Sequence, residues 1–218
     1  ALYAAATTTG LRKVRLLEVG ASAGLNLGVD HFLVRTPSWT WGPADSPVVL
    51  DDAVTGEITP VDVEIVDRRG CDLHPIDPLT EAGNLRLRSF VWPDHVERAH
   101  RLAGALKIAE RIPVAVDRSE ATPWLHERLA ERCDDDVFTV VWHSVVWQYL
   151  EPAERAAAEA VIAAASQQTA VVHTSMEPPD LSRATHTRLT VTTYADGVGE
   201  TRHLGTVHAH GLPVRLDT

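Results

Sequence analysis

The sequence predicts an α/β protein with a doubly wound, mostly parallel sheet that ends in an antiparallel hairpin. Short apolar runs alternate with segments of helical periodicity, which is typical of parallel strands joined by crossover helices. The apolar run Val137–His143 predicts a strand that is covered on both faces. Near the C-terminus, Asp196 and Gly197 separate two strand-like runs and give the signal of a tight hairpin turn.

The remaining elements follow from the same alternation. The predicted parallel strands cover about residues 14–19, 61–73, 112–117, 137–143 and 170–176. The predicted helices cover about residues 25–34, 93–111, 121–133 and 151–166, and Pro93 is well suited to open the second of them. The closing pair of strands is predicted within residues 188–197 and 202–216.

Two regions depart from this alternation. Residues from about 35 to 60 are polar and rich in Pro, Gly and Trp, which predicts an irregular or hairpin insertion. The first ten residues, ALYAAATTTG, have the composition of the end of a helix, so we expect a helical N-terminal region to be missing. The length of 218 residues suits a single domain over residues 1–218. The six scattered tryptophans are expected in the core or in the wall of a pocket.

The composition argues against some classes of binding partner. The net charge is -10 and no basic run is present, which argues against binding to nucleic acid. No apolar run approaches the roughly 20 residues of a membrane helix, and no secretory signal is visible, so we expect a cytoplasmic protein without a membrane partner. Cys71 and Cys133 fit no zinc spacing and are expected to be free thiols.

The segment GASAG, residues 20–24, fits two kinds of chemistry. In the first, the glycines let the backbone approach a nucleotide closely, and Glu18 lies just before the turn. In the second, GASAG is a G-x-S-x-G nucleophile elbow, with Ser22 as nucleophile and His208 or His210 as base. An elbow normally follows several strands, whereas this turn follows the first predicted strand. The nucleotide interpretation is therefore favoured, and the hydrolase stays an alternative.

The segment LLEVGASAGLNL resembles the first motif of class I S-adenosylmethionine-dependent methyltransferases. In that motif an acidic residue precedes a glycine-rich turn, and here Ser22 replaces the middle glycine. The segment RRGCDLHPID resembles the end of that fold's second strand, where an acid binds the ribose hydroxyls, and DRSEATPWL resembles the segment that contacts adenine, with Asp117 as an alternative contact. The resemblance implies a cofactor site formed by Glu18, Gly20, Ser22, Gly24, Asp72 and Glu120.

The segments EVGASAGLNL, WPD, HSVVWQYL, SMEP and HAHG resemble a bacterial family of unknown function with a methyltransferase-like core. The resemblance implies a Rossmann-like fold with S-adenosylmethionine as cofactor. The chain lacks an Asn/Asp-Pro-Pro-Tyr motif, which does not support methylation of an amino nitrogen, and we expect a small-molecule acceptor. A catalytically silent nucleotide-binding or scaffold protein on the same fold is the alternative.

Two side chains are candidates for the chemistry itself. His143 follows the fourth predicted strand and is suited to take a proton from an acceptor, while Glu177 follows the fifth and is suited to orient it. The alternative roles are a packed histidine and a capping or surface carboxylate. His208 and His210 share one face of a predicted strand, but no clustered Cys or acidic partner accompanies them, so no metal site is expected.

Overall fold

Nine strands form one large sheet in the computed structural model, which describes residues 1–179, 186–208 and 211–217. In that part of the chain the strands are β1 (Lys13–Val19), β2 (Leu33–Arg35), β3 (Thr40–Trp41), β4 (Val49–Asp51), β5 (Val54–Thr55), β6 (Glu64–Asp72), β7 (Ala115–Arg118), β8 (Val137–Ser144), β9 (Val171–Glu177), β10 (His186–Ala195), β11 (Val198–His208) and β12 (Val214–Leu216). The α-helices are α1 (Leu2–Thr9), α2 (Glu81–Ser89), α3 (Val96–Arg111), α4 (Ala121–Ala130) and α5 (Pro152–Ala165).

The large sheet has the order β5-β12-β11-β10-β9-β8-β1-β6-β7. The five strands β9, β8, β1, β6 and β7 are mutually parallel, and β10 and β11 follow as an antiparallel hairpin. The parallel part of the sheet is built outward from β1 to β6 and β7, and the chain then returns to place β8 on the other side of β1. The prediction of an α/β protein with a large, mostly parallel central sheet is confirmed.

Helices cover both faces of the sheet because its central strands are apolar on both sides. On one face, Leu17, Val19 and Val141 pack against α4 and α5. On the other face, Leu16 and Val140 pack in one cluster with residues of α1 and of a short 3₁₀ helix at Leu25–His31. None of the helices among the described residues has the length and apolar character needed to span a bilayer.

Several elements differ from the sequence prediction. The helix predicted after the glycine turn is only the 3₁₀ helix at Leu25–His31, whose backbone is non-helical at Gly28. The loop predicted after the second strand contains α2, which begins at Glu81 and is preceded by the N-cap Thr80, whose side-chain oxygen accepts a hydrogen bond from Gly83 N. The last predicted strand is divided into β11 and β12, with a cis peptide bond between Leu212 and Pro213.

The predicted insertion at residues 35–60 forms ordered structure. It supplies β3 and β4, which pair with β2 in a small separate sheet, and β5, which joins the edge of the large sheet beside β12. Its strands are two or three residues long, too short to show an alternating pattern in the sequence. This segment covers one face of the large sheet and positions two tryptophans over it.

Candidate functional site

The candidate site lies where the carboxyl ends of the parallel strands meet. The order of the sheet reverses beside β1, because the chain adds β6 and β7 on one side and β8 and β9 on the other. The ends of β1, β6 and β8 carry Val19, Asp72 and Ser144, so these residues lie along one edge. In open α/β sheets such a reversal leaves a crevice in which ligands bind.

The turn after β1 depends on its glycines. Gly20, Ser22 and Gly24 all have left-handed backbone conformations, with φ of 70°, 55° and 68°. A Cβ atom at Gly20 would lie 2.2 Å from Cγ2 of Val146, and one at Gly24 would lie 2.9 Å from Cγ2 of Val116. The turn therefore packs directly against neighbouring segments, and only glycine meets both the backbone and the space requirement at residue 20.

Glu18 is a buried carboxyl group beside this turn. Its Oε1 accepts a hydrogen bond from Asn26 Nδ2 at 2.9 Å, whereas its buried Oε2 has no hydrogen-bond partner. Burial raises the pKa of Glu18 to about 8, and the polar groups of Asn26 and Trp142 only partly oppose this rise, since Trp142 lies near the carboxyl group but forms no hydrogen bond of good geometry with it. At neutral pH the side chain is therefore mostly protonated in the ligand-free protein.

Asp72 connects the end of β6 to the glycine turn. Its Oδ2 accepts a hydrogen bond from Ser22 N at 2.9 Å, and its Oδ1 accepts one from His74 N at 2.8 Å. The carboxylate thus fixes the turn through its backbone. Each oxygen of a carboxylate has a second lone pair, so Asp72 retains acceptor capacity toward a ligand.

The predicted adenine contacts lie at the next strand end. Glu120 is exposed at the N-cap of α4, where its side chain makes no capping hydrogen bond. Asp117, the alternative contact, accepts two hydrogen bonds from Arg69, at 2.7 and 2.8 Å, and one from Trp124 Nε1. The Arg69 guanidinium lowers the pKa of Asp117. Glu120 is therefore the more available of the two side chains.

His143 and Glu177, the predicted catalytic pair, belong to a buried hydrogen-bonded chain. His143 Nδ1 lies 2.7 Å from Glu177 Oε1, and His143 Nε2 lies 2.9 Å from Nε2 of His173. Burial lowers the pKa of His143, although Glu177 opposes this shift, and it lowers the pKa of His173 to about 3. Both rings are therefore neutral at pH 7, with His143 donating to the carboxylate and accepting from His173.

The hydrogen-bonded chain of His173, His143 and Glu177 positions the segment that follows β8. Glu177 Oε1 also accepts hydrogen bonds from the backbone N of Val146, at 2.9 Å, and of Trp147, at 3.2 Å. The Trp147 ring stacks on His143 with a centroid separation of 3.5 Å. Because Val146 packs against Gly20, Glu177 acts on the glycine turn through this segment.

The structure thus brings Glu18, Gly20, Ser22, Gly24 and Asp72 together, and it leaves the other predicted residues apart from them. Glu120 lies at the outer end of the same edge. Strand alternation places His143 and Glu177 on the α5 side of the sheet, opposite the face that Leu16 and Trp142 share. Their catalytic roles stay predictions.

Sequence reasoning missed a cavity of about 380 Å³ on that opposite face. It lies between the large sheet and the 35–60 segment, and Asn26 and Ser144 line its side toward the glycine turn. Its only sequence signal is the pair Trp39 and Trp41 within a polar segment. Three tryptophans line this cavity (Trp39, Trp41 and Trp142), Trp124 and Trp147 lie in the core, and Trp92 is 70% exposed, contrary to the expectation for it.

The described residues contain no group of three or more His, Cys, Asp or Glu side chains that could hold a metal ion. His203 Nδ1 lies 2.6 Å from Asp217 Oδ2. His208 ends β11 and packs against the His186 ring at 6.0 Å, whereas His210 lies outside the described residues. Cys71 and Cys133 are free, and burial raises the pKa of Cys71 to about 12.

Fold and site together define an α/β protein with a left-handed, glycine-containing turn at the reversal point of a mostly parallel sheet. The chain belongs to the bacterial family described as "Uncharacterized protein conserved in bacteria (DUF2332)", whose sequence profile matches residues 1–215. Comparisons with curated proteins and with solved structures gave no match.

Proposed function

We propose that this protein binds S-adenosylmethionine at the carboxyl edge of its parallel strands and transfers the methyl group to a small molecule. The observation that carries the proposal is the reversal of the sheet order beside β1, which gathers Glu18, the glycine turn at residues 20–24 and Asp72 at one crevice. When bound, this cofactor supplies a methyl group on a positively charged sulfur. The chain's own residues bind and orient it.

The residues at the crevice fit such a ligand. Glu18 has a buried oxygen without a partner, which suits the ammonium group of the cofactor's amino-acid end. A cation beside Glu18 would lower its raised pKa and favour the carboxylate. Gly20 and Gly24 permit the left-handed conformation of the turn beside the crevice, and Asp72 has lone pairs left for the ribose hydroxyls. Glu120 is exposed at the predicted adenine side.

Methyl transfer places modest demands on the protein. Alignment of the methyl group and its acceptor accounts for much of the possible rate enhancement, so a general base is not required for every acceptor. His143 and Glu177 support the site by fixing Val146 against the turn, and we include them in the proposal as positioning residues.

The second candidate is a protein that binds the same cofactor without turnover. One observation favours it: both ring nitrogens of His143 are engaged inside the protein, so this side chain offers no free base at the end of β8. The two candidates share the binding site and differ only in whether methyl transfer follows.

The hydrolase alternative has less support. Ser22 follows β1 and His208 ends β11, and these strands are four positions apart in the sheet. Neighbouring strands are about 4.8 Å apart, which corresponds to a separation of roughly 19 Å. A nucleophile and its base need to be within hydrogen-bond reach. His210, the other proposed base, lies outside the described residues.

Calorimetric titration with S-adenosylmethionine and S-adenosylhomocysteine tests the proposal. We expect both ligands to bind with micromolar affinity, and Asp72→Ala to weaken binding at least tenfold because charged hydrogen bonds contribute about 1.5–3 kcal/mol. The substitution also leaves Ser22 N without its partner, so we expect a loss of about 1–3 kcal/mol in the free energy of unfolding. Denaturant unfolding of the variant measures that loss.

Asp30→Ala is the matched control for the titration. Asp30 forms a bidentate ion pair with Arg68, at 2.6 and 2.7 Å. Its substitution therefore also removes a carboxylate that accepts two hydrogen bonds. Asp30 is not at the strand ends, and we expect the variant to keep the wild-type affinity. Absence of binding by the wild-type protein, or an equal loss in both variants, would contradict the proposal.

A further inference from the structure

The cavity beneath the 35–60 segment has a largely apolar lining without charged side chains. Its volume is about 380 Å³, and its floor includes Leu16, Val140 and Leu189 of the large sheet. In the described part of the chain, no Asp, Glu, Lys, Arg or His side chain lines it. Burial of a charge without a partner is costly, so this lining selects for a neutral occupant.

Aromatic side chains form the opposite wall of the cavity. The Tyr3 ring packs edge-on against Trp39 and Trp41, with centroid separations of 5.8 and 6.0 Å. Trp142 contributes a further ring from β8. Aromatic rings interact favourably with other rings in offset or edge-to-face arrangements, so this wall favours an aromatic occupant.

Among the residues that line the cavity, Thr174 has a buried polar atom without a hydrogen-bond partner. Thr174 lines the cavity from β9, its side chain is fully buried, and its Oγ1 has no hydrogen-bond partner. Ser144 lies on the same cavity at the end of the neighbouring strand. A buried hydroxyl without a partner is unfavourable, and a ligand hydroxyl would satisfy it by donating or accepting one hydrogen bond.

We propose that this cavity binds a neutral aromatic molecule of about two fused rings that carries one hydroxyl group, and that Thr174 is the partner of that hydroxyl. The size follows from comparison with an engineered apolar cavity of about 150 Å³, which holds one benzene ring. If the proposed function holds, this ligand is the methyl acceptor: its hydroxyl oxygen would form the new bond to the methyl carbon, the broken S–C bond would leave its electron pair on sulfur, and the hydroxyl proton would pass to solvent. That assignment rests on the proposed function, whereas the binding itself does not require the cofactor.

Fluorescence titration without cofactor tests the proposal with three related probes: 2-naphthol, 2-naphthoate and naphthalene. We expect 2-naphthol to bind and to quench tryptophan fluorescence through the cavity wall. The charged analogue 2-naphthoate should bind at least tenfold more weakly at pH 8, because no side chain of the lining is a cation and burial lowers the pKa of the Ala1 amino group, which also lines the cavity, to about 6. Failure of 2-naphthol to bind, or equal affinity for 2-naphthoate, would overturn the proposal, whatever the result with S-adenosylmethionine.

Thr174→Val assigns the hydroxyl contact. Valine keeps the shape of threonine, so the variant should lose about three- to tenfold in affinity for 2-naphthol and nothing for naphthalene, which has no hydroxyl. Thr190→Val is the matched control, because Thr190 bonds to Ser175 at 2.7 Å on the opposite face of the sheet. We expect it to keep the wild-type affinity. An equal loss for naphthalene and 2-naphthol in Thr174→Val would contradict the role of Thr174.

Discussion

Gly20→Ala should lower the free energy of unfolding by about 2–6 kcal/mol, since a left-handed non-glycine residue and an overpacked contact each cost about 1–3 kcal/mol. The backbone of residue 20 has a φ of 70°, and its new methyl group would lie 2.2 Å from Cγ2 of Val146. The turn or the Val146 segment would have to move. Urea unfolding monitored by tryptophan fluorescence measures the effect.

Gly10→Ala separates the two causes. Gly10 has nearly the same φ, 72°, but nothing lies within 4 Å of a Cβ atom there. We expect this variant to lose only about 1 kcal/mol, from the backbone conformation alone. Val146→Ala combined with Gly20→Ala should recover part of the loss, because it removes the two colliding methyl groups. Equal losses at residues 10 and 20 would contradict the proposed contact between the turn and Val146.

Glu18→Gln should change the dependence of stability on pH. Burial raises the pKa of Glu18 from 4.5 to about 8, so between these values the folded protein holds a proton that the unfolded chain releases. Stability of the wild-type protein is therefore reduced as pH rises through this interval. One pKa unit corresponds to about 1.4 kcal/mol, so the free energy of unfolding should fall by on the order of 4 kcal/mol between about pH 5 and pH 8.

The measurement is the difference in the free energy of unfolding between Glu18→Gln and wild type, taken at several pH values. Other groups titrate in both proteins: His143 and His173 have lowered pKa values and make the fold less stable as pH falls, but they contribute equally and cancel. The free energy of unfolding of Glu18→Gln should increase relative to that of the wild type as pH rises. Glu200→Gln, at an exposed position, is the control. A difference independent of pH would show that Glu18 is not held neutral.

The fold was predictable where the sequence repeats a regular pattern. The apolar run at Val137–His143 and the Asp196–Gly197 turn identified a central strand and the closing hairpin, and both lie where the pattern predicts. The 35–60 segment was not predictable in the same way, because its strands gain their order from pairing with β2 and β12. Helix α2 was not predicted because its one clear sequence signal is the N-cap residue Thr80.

The candidate site was predictable in part. The resemblance of LLEVGASAGLNL and RRGCDLHPID to methyltransferase motifs identified Glu18 and Asp72, which the fold brings to one edge of the sheet from distant positions in the chain. Strand alternation places His143 and Trp142 on opposite faces, but the sequence does not show that α5 covers the first face and the 35–60 segment the second. It also gave no sign that Thr174 lines a cavity, since that cavity forms only when the 35–60 segment packs on the sheet.

A crystal structure of the protein grown with saturating S-adenosylhomocysteine tests whether the crevice beside β1 binds the cofactor. We expect the ribose hydroxyls within hydrogen-bond distance of Asp72 and the ammonium group beside Glu18, next to the glycine turn. Ligand bound at any other place, or crystals without ligand at saturating concentration, would contradict the proposal that the crevice beside β1 is a site for S-adenosylmethionine.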